Sequence, residues 1–307
     1  MQARDFSEDE VRLLARCAHA LMQSDDVDKQ EAQRFLACAA KAGDKESQLS
    51  WGLWLARMEL SGRRNTRIAG AANYKEAIRW LTLAGEQGLG KAWYAISRIY
   101  LKAEFSQRNV VESQHYLTKA AAAGYHLAQR ELGVLTWRTR RGDASKDVRA
   151  AYWLQKAAAQ GCAQAAALLQ KMASHAVPAS WAYAALEQLT QNASRVPPVL
   201  QARVALAARM GLSIPEALLI DLNTADHGHC LVIDIRAHYA RGKRRLILVR
   251  TEEERQAIAH IAHLLDGVDC GTDGPEGNYR QRLYRFKQLV PNWIELQKLS
   301  LSKPTGC

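Results

Sequence analysis

Two short stretches carry residue types suited to gripping an acidic partner. "RGKRR" sets Lys243, Arg244 and Arg245 in a row, and cations so placed can neutralise backbone phosphates. "YRQRLYRFK" interleaves Arg280, Arg282, Arg285 and Lys287 with Tyr279, Tyr284 and Phe286. In nucleic-acid recognition the cations take the backbone and the rings stack on bases. Each stretch also has a plainer reading: a solvated turn in the first case, a short helix with buried anchor rings in the second. The loops "GRRNTR" (62–67) and "RTRR" (138–141) are basic as well, and read as solvated connections. "DHGHC" (226–230) and "DC" (269–270) contain metal-ligand types. Neither has the second close pair, C-x-x-C or H-x-x-x-H, that a zinc site wants, so no metal and no cofactor are expected.

Catalytic motifs are missing more broadly. There is no phosphate-cradling G-x-x-x-x-G-K-[ST], no G-x-S-x-G nucleophile turn and no G-x-G-x-x-G. A nucleophile, a base and an oxyanion donor cannot be assembled from what is present, so the chain is not expected to be an enzyme.

The totals favour an acidic partner without locating one. The 307 residues carry 42 Lys and Arg against 31 Asp and Glu, a net charge of +11. The surplus is spread: residues 1–194 hold 26 basic and 19 acidic side chains, residues 195–307 hold 16 and 12. The opening "MQARDFSEDEVRLLARCAHALMQ" places acids ahead of its apolar stretch, unlike a secretory signal. No stretch approaches the ~18 apolar residues of a membrane span. The six cysteines are scattered, as free thiols would be. A cytoplasmic protein with no membrane partner is the expectation.

The elements that must position these residues begin with a repeat. "DKQEAQRFLACAAKAG" (28–43), "NYKEAIRWLTLAGEQG" (73–88), "NVVESQHYLTKAAAAG" (109–124) and "KDVRAAYWLQKAAAQG" (146–161) align without gaps. Each has an aromatic residue (Phe35, Trp80, Tyr116, Trp153) followed by Leu (Leu36, Leu81, Leu117, Leu154). Ala comes three residues after the Leu, and Gly seven after it, at 43, 88, 124 and 161. The small residues let a second helix approach, the aromatic and Leu fill the seam, and Gly ends the helix in a left-handed conformation. A second apolar-striped helix follows each Gly, so each unit is a helical hairpin and the hairpins stack into an α-solenoid.

Over residues 28–175 this pattern resembles Sel1-like repeats, relatives of tetratricopeptide repeats. The resemblance implies an adaptor scaffold that binds a protein partner along a concave face. Residues 176–211 read as one further helical pair, with Pro198 near a start and Gly211 at an end.

After Gly211 the texture changes. "HCLVIDIR" (229–236) and "RRLILVR" (244–250) are β-rich runs joined by "AHYARGK", a hairpin signal. Thr251 with Glu254 forms a capping box, and Ile258, Ile261, Ala262 and Leu265 an apolar stripe. A loop and an amphipathic helix (279–290) complete a small α+β unit at 212–307. The fold expected is therefore mainly α: an α-α superhelical solenoid at 1–175, a connecting helical pair at 176–211, and an α+β unit with a β-hairpin.

The order helix, hairpin, helix, loop, helix over about 205–290 is similar to the first part of a tyrosine recombinase (phage integrase) catalytic core. Gly211, Leu212, Glu216, Ala217 and Leu218 match its G-L-R-x-x-E-A-L helix, and Lys243 matches its hairpin lysine. The resemblance implies a site where two arginines hold the scissile phosphate, a lysine protonates the leaving oxygen and a tyrosine attacks. Here Ser213 stands at the first arginine position, a loss worth about 3–4 kcal/mol of transition-state stabilisation. No H-x-x-R box or tyrosine follows in the family's order, and His238 to Arg241 lies ahead of Lys243. The implication is a degenerate core without recombinase activity, in a mobile-element setting. "GLSIPEALL" is equally a helix start with Ser213 as N-cap, Pro215 and Glu216 in the first turn. The function expected is a protein-binding adaptor, with DNA as a second partner through Lys243, Arg244, Arg245, Arg280, Arg282 and Arg285.

Overall fold

A computed structural model describes residues 6–23, 29–141, 143–173, 178–191, 193–271 and 274–296. The chain divides into two compact units, one of Met1–Thr139 with Trp153–Ala166, the other of Arg140–Tyr152 with Ala167–Cys307.

The first unit is built from α1 (Glu8–Gln23), α2 (Lys29–Lys41), α3 (Lys45–Leu55), α4 (Tyr74–Glu86), α5 (Gly90–Ile99), α6 (Val110–Ala122) and α7 (His126–Arg138). Parts of α8 (Ala144–Ala159) and α9 (Ala163–Met172) complete it. From α1 to α7 each helix packs on the next. The repeat positions explain why. Leu36, Leu81, Leu117 and Leu154 are at most 3% exposed, and Ala39, Ala84, Ala120 and Ala157 are wholly buried.

Those alanines have a second task at the helix ends. Gly43, Gly88, Gly124 and Gly161 all have φ between 85° and 99°, a region closed to most L side chains. The N–H after each Gly then donates back to the repeat alanine: Asp44 to Ala39 O, Leu89 to Ala84 O, Tyr125 to Ala120 O, Cys162 to Ala157 O, at 3.1–3.2 Å. Each Gly N–H donates to the carbonyl of the residue after that alanine. This Schellman closure satisfies carbonyls that a helix end leaves open.

Glutamines tie the hairpins together in pairs, an exposed one reaching to a buried one. Gln87 Nε2 donates to Gln48 Oε1 (2.9 Å) and to Gly43 O (3.2 Å). Gln160 Nε2 donates to Gln129 Oε1 at 2.9 Å. Gln48 and Gln129 in turn donate to Ala40 O and Ala121 O, equivalent carbonyls two repeats apart. Between those pairs Trp93 takes the place that Gln48 and Gln129 hold, seated on Gly85, whose Cβ would stand 2.4 Å from the indole. The indole stacks on Tyr116 with centroids 5.8 Å apart.

The second unit contains α10 (Ser180–Gln191), α11 (Pro198–Met210), the short α12 (Ile214–Leu219) and α13 (Leu222–Ala225), β1 (Cys230–Ile233), β2 (Arg245–Leu248), α14 (Glu252–Leu264) and α15 (Tyr279–Leu289). α11 opens on Pro198 and closes on Gly211 at φ 64°. β1 and β2 pair antiparallel, Cys230 with Leu248 through Ile233 with Arg245. These strands are shorter than the β-rich runs that suggested them. Asp234 ends β1 by bonding Arg236 (2.8 and 2.7 Å) instead of continuing the ladder.

The expected boundaries need correction here. Residues 176–211 are not a separate connector, and 212–307 is not a unit with its own core. Trp181, Leu189, Leu206 and Met210 lie in one hydrophobic cluster with Ile233, Ile247, Ile258, Ile261 and Phe286. Trp181 meets Phe286 edge-to-face at 6.1 Å, and its indole N–H donates to Leu212 O at 2.9 Å. A two-stranded ribbon and the four helices α12 to α15 have too little apolar surface to bury alone, so the helical pair supplies the other half. The segment Arg140–Tyr152, which includes the start of the fourth repeat, groups with this unit.

The left-handed caps give a direct test. Gly124→Ala adds no clash, since nothing lies within 4 Å of its Cβ position, but forces a side chain into the left-handed region at about 1–2 kcal/mol. The midpoint of urea unfolding should fall accordingly. An unchanged midpoint would mean that the cap carries no load.

Candidate functional site

The stretch "GLSIPEALL" forms a cap. Glu216 Oε2 accepts from the Ser213 N–H (2.8 Å) and hydroxyl (2.9 Å), a capping box at the start of α12. Arg245, at the start of β2, closes on the same carboxylate through Nε (2.8 Å) and Nη2 (2.8 Å), and donates to Gly211 O (2.9 Å). Burial alone would raise the Glu216 carboxyl, but the Arg245 hydrogen bonds and charge and the Ser213 donors hold it below its ordinary value of 4.5. Ser213 therefore orders a backbone turn, and Arg245 fastens the hairpin to it.

Arg244 is also occupied. It forms a bidentate pair with Asp147, with Nη2 to Oδ1 at 3.1 Å, and its Nε lies 3.8 Å from Asp234. Of the "RGKRR" cations only Lys243 and Arg241 project as exposed side chains. Nearby, both ring nitrogens of His229 face carbonyl oxygens, of His227 and Val148, each at 3.0 Å. Burial, then Asp147 and Asp226, push the Cys230 thiol up to about 12. Asp226 itself is held by Arg255. Among the described residues no three His, Cys, Asp or Glu side chains group as metal ligands.

The second basic stretch separates by depth. Arg282 is 3% exposed and lies inside the unit, not on the surface where a phosphate could reach it. Nε donates to Gly277 O (2.7 Å), Nη1 to Leu218 O (2.9 Å), and Nη2 to Cys270 O (2.8 Å) and Gly271 O (3.1 Å). Arg203 of α11, 1% exposed, reaches Glu276 by Nε (3.1 Å) and Nη2 (2.6 Å), Ile220 O and Ala217 O by Nη1, and Cys270 Sγ at 3.1 Å. Glu276 Oε2 stands 3.3 Å from Arg282 as well. Desolvation holds the Arg282 guanidinium below its ordinary value against the pull of Glu276. Burial also raises the Cys270 thiol.

Arg203 and Glu276 were not marked by sequence reasoning. The available signal is an arginine inside "VLQARVALAARM", a helix otherwise apolar at the buried positions. Arg280 and Arg285 are exposed, Tyr284 is 63% exposed, and Lys287 lies 3.7 Å over the Trp293 ring. Tyr279 packs against Tyr239, and burial pushes its hydroxyl up to about 12. Phe286 is wholly buried.

In the repeat unit the surface feature is a row. Phe35, Trp80, Tyr116 and Trp153 occupy the same repeat position, and all four are half-buried. Lys119 lies over the Trp93 and Tyr116 rings at 4.8 and 5.5 Å, and Arg57 over Trp54 at 3.9 Å. Leu83, Val110 and Val111 on α4 and α6 are 40%, 51% and 73% exposed. No helix among the described residues is long and apolar enough to cross a membrane.

No known family's sequence model matches the chain, and no curated protein is similar to it. Solved structures are. A Sel1 repeat protein from Oxalobacter formigenes aligns at 22% identity over 54% of this chain and 66% of that one, with a TM-score of 0.42. The protein c5321, a protective antigen present in uropathogenic Escherichia coli strains and displaying an SLR fold, aligns at 17% identity over 97% of this chain and 57% of its own, also at 0.42. A Pseudomonas aeruginosa protein, PA5086, aligns at 15% identity over 85% and 84%, at 0.35. The chain thus spans 66% and 57% of the length of the first two.

Two outcomes follow from the buried ion pairs. Glu276→Gln leaves two buried guanidiniums without a carboxylate and should cost about 3–5 kcal/mol in denaturant unfolding of the second unit; a loss under 1 kcal/mol would show the carbonyls suffice. Because the folded Glu216 titrates below its unfolded value, its pairing stabilises the fold fully above the ordinary carboxylate range. That contribution is lost as pH falls through the depressed folded value. Glu216→Gln should therefore flatten the decline in stability below about pH 4.5 relative to the parent chain. Parallel curves would remove Glu216 from the account.

Proposed function

We propose that this protein is a non-enzymatic cytoplasmic adaptor whose helical-repeat unit binds a protein partner. The observation that carries the reading is the row Phe35, Trp80, Tyr116 and Trp153, half-buried at one repeat position; α4 and α6, which carry Trp80 and Tyr116, also expose Leu83, Val110 and Val111. Aromatic side chains on a rigid scaffold lose little entropy on contact and dominate binding energy where they meet a partner. A stack of hairpins presents such a row along one continuous surface. The likeness to Sel1-type repeats supports the same reading, since adaptor roles are what that resemblance implies.

DNA binding through the C-terminal unit is the second reading. It draws on Lys243, Arg280 and Arg285, because Arg244, Arg245 and Arg282 are occupied by Asp147, Glu216 and the carbonyls around Glu276. Descent from an integrase core, and a mobile-element setting, rest on the order of elements after Gly211.

Photo-crosslinking distinguishes the readings. A benzophenone side chain at position 83 or 111 should give one discrete adduct in extracts of the native host, and Trp80→Ala should reduce it at least tenfold. Equal adducts from a position on the second unit, such as 264, would overturn the assignment to the repeats. Steep loss of duplex binding with salt, flattened by Lys243→Ala with Arg280→Ala, would favour DNA instead.

A further inference from the structure

Beside the Arg203–Glu276–Arg282 cluster lies a cavity of about 230 Å³. Its apolar wall is Val199, Leu200, Leu218 and Val268, and its polar wall is Arg203, Glu276, Arg282 and Arg285. Pro275 and Arg285 also border a second, open cleft of about 660 Å³, lined further by Gly274, Gly277, Arg280, Gln281 and Tyr284. The two spaces therefore meet at one guanidinium, with carbon on one side and water on the other.

Among the described lining residues the charges do not balance: Arg203, Arg282, Arg285 and Arg280 line the two spaces against one carboxylate, Glu276, already shared by two of them. Asp269, the neighbouring loop carboxylate, turns back to accept from the Gly271 N–H at 2.8 Å. Carbonyl oxygens satisfy the donors of Arg203 and Arg282, but carbonyls carry no net charge, so a positive field remains at a low-dielectric wall. Arg285 is placed to use it. One nitrogen donates to Glu276 O, and the exposed side chain lines both spaces.

We propose that this site binds a small oxyanion with a short apolar tail, a carboxylate or phosphate monoester whose tail fills the cavity and whose charged head meets Arg285 and Arg280. Size sets the tail: drug-sized ligands need roughly 300–1,000 Å³, so the occupant is smaller. The guanidinium fork suits either oxyanion in bidentate contact.

The test is calorimetric titration of the full chain with hexanoate, hexyl phosphate, hexanol and acetate. Hexanoate or hexyl phosphate should bind at least tenfold more tightly than hexanol and acetate, and the ratio of the two anions identifies the head group. Arg285→Gln alters an exposed side chain and should weaken the anions at least tenfold with hexanol unchanged. Val268→Phe should abolish tail-dependent binding, with the circular dichroism spectrum retained. Hexanol binding as well as hexanoate, no heat for either anion at millimolar concentration, or anion binding indifferent to Arg285→Gln each overturns the proposal.

Discussion

Two buried guanidiniums closing on one carboxylate govern the second unit. Arg203 comes from α11, Arg282 from α15 and Glu276 from the loop between α14 and α15. Each arginine also collects backbone carbonyls: Ala217, Leu218 and Ile220 at the end of α12, and Cys270, Gly271 and Gly277 in the loop. A helix of six residues cannot close its own end, and a loop on a hydrophobic core cannot hydrate its inner carbonyls. The arginines perform both duties. Their removal from water is tolerated because nearly every donor finds an oxygen, and that same saturation leaves the positive charge itself unmatched.

The repeat unit solves the same problem of backbone satisfaction with other means. There a left-handed glycine returns the following N–H to a buried alanine carbonyl, and a glutamine amide reaches a carbonyl where a second helix covers the end. The motif is local and copies readily along the chain. In the second unit the partners lie far apart in sequence, 73 residues between Arg203 and Glu276, and nothing repeats.

That difference explains what the sequence made legible. Aromatic, Leu, Ala and Gly recur at fixed spacing because each answers a constraint within sixteen residues, so the hairpins and their caps could be placed from spacing alone. The capping box at Thr251 and the N-cap at Ser213 were legible for the same reason. The fates of the basic residues were not. Arg244, Arg245 and Arg282 look alike on paper, and only the distant Asp147, Glu216 and Glu276 decide that they face inward. Adjacency in "RGKRR" suggested one common task; Arg245 turns to Glu216 and Arg244 to Asp147, while Lys243, ahead of β2, is exposed. The glutamine ties went unread because their members stand in different halves of the repeat, alternating from one hairpin to the next.

The core of the second unit runs across residue 211. Trp181, Leu206 and Met210 stand on one side of it, and Ile233, Ile258 and Phe286 on the other, in a single cluster. A chain cut at that point would leave half a core on each piece, with nothing beneath the ribbon β1–β2, so the hairpin and the helical pair must fold together.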